Sequence, residues 1–286
     1  MLSWFYATRP WSFVFIISPV SIGSLLAYKA GNFHWVAALV ALLSALFIQI
    51  GTNLANDYYD FVKGVDSLDQ KGPTNIIITG KIQPEKIKLA FRLAFLCASI
   101  LGAYLIFRAG LPIIFIGILS LLAGYFYTGG PRPLGYVGLG DILVLIFFGP
   151  VAVAGTYYVN TLEFASLPVI LGLTPGLLAA ALLCANNIRD YENDKKHNKN
   201  TLVVRFGKTF GKVEYIFSLL IAITIPMFIA YQAKNTFLLL GLLFVLIICL
   251  SAIHKFLSAK LDEFNPILQK TGNIIILFTL VFLFFY

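Results

Sequence analysis

Two short stretches carry amide and carboxylate oxygens at helical spacing. NLANDYYDFVKGVD (53–66) places Asn53, Asp57 and Asp60 at i, i+4 and i+7. NNIRDYEND (186–194) places Asn186, Asp190 and Asp194 at i, i+4 and i+8, with Asn187 beside them. A helix continuing through either stretch puts its three polar side chains on one face. If the two faces meet, the carboxylates of Asp57, Asp60, Asp190 and Asp194 converge. Two carboxylates ~6 Å apart repel by roughly 3 kcal/mol at an effective dielectric near 20. Such a cluster therefore calls for a cation. Mg²⁺ uses one or two carboxylates, keeps several waters and shares substrate phosphate oxygens. Thiols and imidazoles are absent from both stretches, which argues against zinc or copper. Cys97, Cys184 and Cys249 each sit in an apolar run, and His34, His197 and His254 show no paired-ligand spacing.

Basic residues lie nearby. Lys63 and Lys71 follow the first stretch, and Lys195, Lys199 and Arg205 follow the second. Arg132 stands between them in YTGGPRPLGY. Alternating acid and base suits a metal-bridged diphosphate, whose remaining oxygens take Lys or Arg.

The elements that must position these residues are membrane spans. Of 286 residues, 59% are hydrophobic and 12% charged, about half the charged fraction of a soluble domain. Apolar runs cover 11–29, 35–55, 89–107, 111–128, 141–159, 166–187, 213–232, 236–253 and 271–286. Such runs match a hydrocarbon core of ~30 Å, which predicts nine transmembrane helices. No cleavable signal peptide is evident, since YKAGNFHW rather than a small-residue cleavage site follows the first run. With the N-terminus inside, all but three of the 21 basic residues (Lys29, Arg108 and Lys234) fall on the inner side. Basic inner loops facing an anionic leaflet account for the net charge of +8 without nucleic acid.

The outer connections (30–34, 108–110, 160–165 and 233–235) are short, and the inner ones (56–88, 129–140, 188–212 and 254–270) are long. Function is therefore expected on the inner, cytoplasmic face. Each Asn/Asp stretch follows the second helix of a four-helix group. This suggests one transmembrane domain over 1–286 built by duplication of 11–128 and 141–253, with helix 271–286 added.

These motifs resemble those of the UbiA superfamily of intramembrane aromatic prenyltransferases, which has an Asn/Asp-rich loop after the second helix and a D-x-x-x-D loop after the sixth. The resemblance runs from TRPWSF to RFGK at 205–208. Within the family it points to the branch acting on 1,4-dihydroxy-2-naphthoate, through GPTNIIITGKIQP, GPRPLGYVGLGD, FFGPVAVAGTYYV and KKHNKNTLVVRFGK. Asp66, six residues after Asp60 in the KGVD form, belongs with that branch. Asn75 stands where Arg is expected, and Asn198 where Gly is expected.

The resemblance implies an all-α bundle of nine helices around a central cavity capped by polar cytoplasmic loops, in a bacterial inner membrane. It implies two Mg²⁺ ions, with Mn²⁺ able to substitute, held by Asn53, Asp57, Asp60, Asp190 and Asp194, with Asn186 and Asn187 as further ligands. Lys63, Lys71, Arg132, Lys195, Lys199 and Arg205 would bind the diphosphate of a polyprenyl diphosphate whose tail lies in the cavity, open to membrane lipid. Asn56 and Asp66 would assist, and Tyr58, Tyr125 and Tyr127 would shield an allylic cation. The implied reaction prenylates dihydroxynaphthoate with loss of CO₂, as in menaquinone biosynthesis. 4-Hydroxybenzoate or another acceptor is the alternative. An ion-coupled transporter would instead carry its ionisable groups near the bilayer midplane. The long Asp-Gly…Asp motif of CDP-alcohol phosphotransferases is not found here.

Overall fold

In the computed structural model the described residues are 2–65, 75–259 and 263–286. Asp66 and Lys71 lie outside them. Every regular element among the described residues is helical. We label the long helices α1 (Val14–Lys29), α2 (Trp35–Val62), α3 (Pro84–Ala109), α4 (Leu111–Phe126), α5 (Gly140–Thr161), α6 (Ser166–Arg189), α7 (Lys208–Gln232), α8 (Thr236–Ser258) and α9 (Phe264–Phe285). Eight are long and apolar enough to cross a membrane, α1 together with the 3-10 turn Pro10–Phe13 that leads into it, and α4, at 16 residues, is a shorter apolar helix.

The inner ends run further than apolar content alone indicates. α2 has 28 residues, or ~42 Å at 1.5 Å per residue, against ~30 Å of hydrocarbon. The surplus carries Asn53, Asp57 and Asp60. Likewise α3, α7 and α9 begin at Pro84, Lys208 and Phe264, several residues before their apolar runs. Polar residues extend these helices into the inner interface, where side chains can reach water.

The second stripe departs from the expected single helix. α6 stops at Arg189, Asp190 adopts φ −92°, ψ 5°, and a short helix Tyr191–Lys196 carries Asp194. The amides of Asp190 and Asp194 still donate to the carbonyls of Asn186 and Asp190, at 3.0 and 2.9 Å. The helical bonding thus passes through a local bend, and the side chains stay near one another.

Turns on the outer side are tight. Gly110, at φ 75°, joins α3 to α4. His34 Nδ1 accepts from the Ala37 amide at 3.1 Å and caps α2, and Asn235 Oδ1 accepts from Leu238 to cap α8. Arg108 ties this face together, donating to the carbonyls of Val159 (2.8 Å) and Asn160 (3.0 Å) at the end of α5.

Large apolar side chains cover the exterior: Phe107 is 91% exposed and Phe284 80%. A soluble monomer does not display such a surface, whereas lipid tails solvate it. The most extensive helix pairings are α5 with α6, α2 with α3 and α6 with α7. α9 closes the bundle against α1, where Thr279 donates to Ser18 Oγ at 2.6 Å across 261 residues of sequence.

The closest crossing joins α5 and α6. A π turn at Phe147–Val151, with Gly149 at φ −115°, ψ −113° before Pro150, widens α5 there. Gly172 and Gly176 of α6 sit against it, in the small-xxx-small spacing of membrane helix contacts. A Cβ on Gly176 would lie 2.3 Å from the Leu145 carbonyl oxygen. Gly176→Ala is expected to cost about 1–3 kcal/mol of overpacking, read as a lower Tm in detergent. Gly117→Ala, whose new carbon meets nothing within 4 Å, is expected to leave Tm unchanged.

Candidate active site

A cavity of about 1420 Å³ runs through the bundle, lined by every long helix except α7 and α8. Its interior is apolar, with Ala41, Ile48, Leu105, Ile113, Leu121 and Phe148 among its walls. Its polar mouth gathers Asn53, Asn56 and Asp60 from α2 with Asn186, Asn187, Asp190, Asp194 and Lys199 from the second motif. The two stretches therefore meet at one rim.

Each carboxylate of the two motifs has a donor, distant in the chain for Asp57 and Asp60 and local for Asp190 and Asp194. Asp57, 2% exposed, pairs with Arg9, which also donates to Asn56 Oδ1 at 3.0 Å. Asp57 lies behind the cavity wall. Asp60 accepts from the Tyr136 hydroxyl at 2.6 Å and from Asn56 Nδ2 at 3.0 Å. Asp190 receives both Nε (2.8 Å) and Nη2 (2.7 Å) of Arg189. Arg189 reaches on to Asn186 Oδ1 at 2.6 Å and Asn265 Oδ1 at 3.0 Å, tying α6 to α9. Asp194 pairs with Lys199 at 3.4 Å.

The amides are held as well. Asn53 Nδ2 donates to Thr8 O and Ser12 Oγ, both at 2.9 Å, and Asn187 Nδ2 donates to Asp141 Oδ1 at 3.3 Å. The inner loops interlock through Asn200 N to Tyr136 O (3.0 Å) and Asn193 Nδ2 to Val65 O (3.3 Å).

Burial pushes the Asp194 carboxyl up to about 6, against the pull of Lys199, and Asp190 and Asp60 add to the rise. Burial works against the Lys199 charge too, but Asp194 and then Asp60 outweigh it, so this ammonium is held charged above its usual range. Tyr127 lines the cavity, and burial pushes its phenol up to about 12, so it stays neutral.

The other basic residues named from sequence stand differently. Lys63 donates to Thr128 O at 2.6 Å and lies 4.5 Å from the Tyr136 ring centroid. Arg132 is exposed on its loop, Lys195 lies over the Tyr191 ring, and Arg205 donates to Asn200 O. None of these four lines the cavity. Among the tyrosines, Tyr58 and Tyr125 pack with Tyr59 and Phe91 behind the wall. Tyr127 alone of the three faces the cavity.

Both departures from the family pattern have a structural account. Asn75 is buried, donating to Asp57 O at 2.7 Å and accepting from Ile77 N at 2.9 Å, so it clips the end of α2. Asn198 sits at φ 55°, a left-handed conformation that Asn tolerates better than other non-glycine residues. The turn that Gly would make is thereby kept.

Sequence reasoning missed Arg9, Arg189 and Tyr136. Arg9 and Arg189 stood only among inner-side basic residues, and the one available signal was adjacency, of Arg189 to Asp190 and of Tyr136 to GPRPLG.

The donor set fits a hard divalent cation. The rim offers carboxylate and amide oxygens, and Asp194 Oδ2 is buried without a hydrogen-bond partner. Among the described residues, no three Asp, Glu, His or Cys side chains are close enough to enclose an ion unaided. Mg²⁺, which completes its shell from water and substrate phosphate, suits such a half-built site.

Comparison with known proteins covers most of the chain. A sequence model of the UbiA prenyltransferase family matches residues 16–266. The 1,4-dihydroxy-2-naphthoate octaprenyltransferase of Haemophilus influenzae is 34% identical over 98% of this chain and 94% of its own. That of Escherichia coli is 37% identical over 72% of this chain and 69% of its own. Among solved structures, a UbiA homologue from Archaeoglobus fulgidus, bound to GPP and Mg²⁺, shares the fold at TM-score 0.68, with 20% identity over 98% of both chains.

Arg9→Leu leaves Asp57 buried without its guanidinium. It is expected to destabilise the chelator-treated protein by about 3 kcal/mol, with Arg9→Lys recovering part of the loss, as read by thermal unfolding in detergent.

Proposed function

The chain belongs to the UbiA prenyltransferase family, and we propose that it transfers the isoprenyl chain of a polyprenyl diphosphate to 1,4-dihydroxy-2-naphthoate with loss of CO₂. It is an integral membrane prenyltransferase. The observation that carries the proposal is the meeting of both Asp motifs at the mouth of one apolar cavity, with Lys199 among them. Naphthoate octaprenyltransferases aligned over most of the chain support the choice of acceptor. The basic inner loops support a cytoplasmic mouth.

Asn53, Asp60, Asn186, Asn187, Asp190 and Asp194, which line the cavity, would hold two Mg²⁺ ions, and Asp57, paired with Arg9 behind the wall, would join them on release from that guanidinium. Bound there, Mg²⁺ neutralises the diphosphate and stabilises the charge it gains on leaving. Lys199, kept charged by its acidic neighbours, binds departing phosphate oxygens. As the allylic C–O bond breaks, its electron pair leaves with the diphosphate. The Tyr127 ring offers a π face to the developing cation, and apolar walls keep water from capturing it. The naphthoate carbon bearing the carboxylate attacks, forming the new C–C bond. That carboxylate departs as CO₂, returning its bonding pair to the ring, so no external base is needed.

Purified protein incubated with Mg²⁺, farnesyl or geranylgeranyl diphosphate and either dihydroxynaphthoate or 4-hydroxybenzoate tests the proposal. The expected product carries the prenyl group and lacks the carboxylate by mass. A product formed only from hydroxybenzoate, with its carboxylate retained, would reassign the acceptor. Asp57→Ala and Asp190→Ala are each expected to abolish turnover in a folded protein. Chelation is expected to stop the wild-type reaction, with Mg²⁺ or Mn²⁺ restoring it.

A further inference from the structure

The cavity wall is chemically uneven. On the α3–α4 side it is mostly apolar, with Gly102, Leu105, Ile113 and Leu121 beside two small hydroxyls, Ser99 and Ser120, of which Ser99 donates to the Phe95 carbonyl of its own helix. On the α9 side it carries Asn265, Gln269 and Asn273. These lie four residues apart, on one face of the helix. Asn265 receives Arg189 and belongs to the mouth. Gln269 and Asn273 are exposed to the cavity, and neither side chain makes a hydrogen bond among the described residues. Asn273 lies nine residues into α9, about 13 Å along its axis, just before the apolar run IIILF.

Gln269 lies just before the apolar run 271–286 and Asn273 at its edge, where an amide without a protein partner needs water or a ligand to satisfy it. A purely structural role would show a protein partner, and neither residue has one. The two substrates of the proposed reaction differ as the two walls do. An isoprenoid chain needs only apolar contact, whereas the aromatic acceptor brings oxygen substituents that must be satisfied away from water. The cationic side chains lining the cavity, Arg9, Arg189 and Lys199, all stand at the mouth with the aspartates. α9 offers neutral amides, each able to accept from a hydroxyl and donate to a carboxylate. Phe15 and Phe148, with ring centroids 5.7 Å apart, line the same cavity and give a planar ring faces to lie on.

We infer that Gln269 and Asn273 form the acceptor subsite, binding the oxygen substituents of a hydroxylated aromatic acid, while the α3–α4 wall takes the prenyl chain. This rests on the prenyl transfer proposed above. The test compares wild type with Gln269→Met, Asn273→Leu and the double variant. Each is assayed with Mg²⁺, geranylgeranyl diphosphate and dihydroxynaphthoate, and with 4-hydroxybenzoate in parallel. The expected result is a rise of about tenfold or more in acceptor KM, the size of one lost buried hydrogen bond. The KM for the diphosphate stays within about twofold. Tm is unchanged or higher, because an apolar side chain replaces an amide within the membrane. Gln269→Asn and Asn273→Gln, which keep an amide, recover most of the acceptor affinity. An unchanged acceptor KM in the double variant would overturn the inference. So would a fall in Tm with both KM values rising together, which marks a structural role. A wild-type protein that prenylates neither acceptor would overturn the proposed reaction itself, and this inference with it.

Discussion

Like charges gathered at the edge of a membrane must be compensated, and here each carboxylate at the rim has a donor, for Asp57 and Asp60 from distant parts of the chain. Asp57 depends on Arg9, 48 residues away, and Asp60 on Tyr136, 76 residues away. Asp190 shares Arg189 with Asn265 at the start of α9, and Asp194 has Lys199. The N-terminal segment, the loop between α4 and α5, the second motif and the last helix therefore converge on one rim. Repulsion that would scatter the carboxylates instead fixes where the loops sit, because Asp57 and Asp60 meet their donors only where the N-terminal segment and the loop between α4 and α5 reach them.

The membrane imposes the second constraint. With lipid on the outside and an apolar cavity within, hydrophobicity cannot tell inner from outer faces. Helices must then find one another by shape and by sparse polar contacts. The glycines of the α5–α6 crossing and the Ser18–Thr279 bond between α1 and α9 are such contacts. Arg108, bonded to two carbonyls at the end of α5, does the same on the outer face.

This also explains what the sequence made legible. The long apolar helices and the helical spacing of Asn53, Asp57 and Asp60 followed from run length and periodicity. Side-chain direction did not. Phe91 and Phe107 occupy the same helix, yet one is 2% exposed and the other 91%. A basic residue after an acidic motif announces its charge and its side of the membrane, not its target. Arg205 and Arg132 read like Lys199, but only Lys199 lines the cavity. Arg9 seemed an ordinary inner-side charge because its partner is 48 residues away. The bend at Asp190 was hidden because the i→i−4 bonding on either side of it continues.

The closure of α9 against α1 has a consequence for biogenesis. α9 follows the other labelled helices along the chain, and it lines the cavity with Gln269 and Asn273 and supplies the Asn265 that steadies Arg189. Until it arrives, the nascent bundle is an open trough with its reaction chamber facing lipid. Insertion of α9 is thus the event that turns a row of membrane helices into an enclosed vessel.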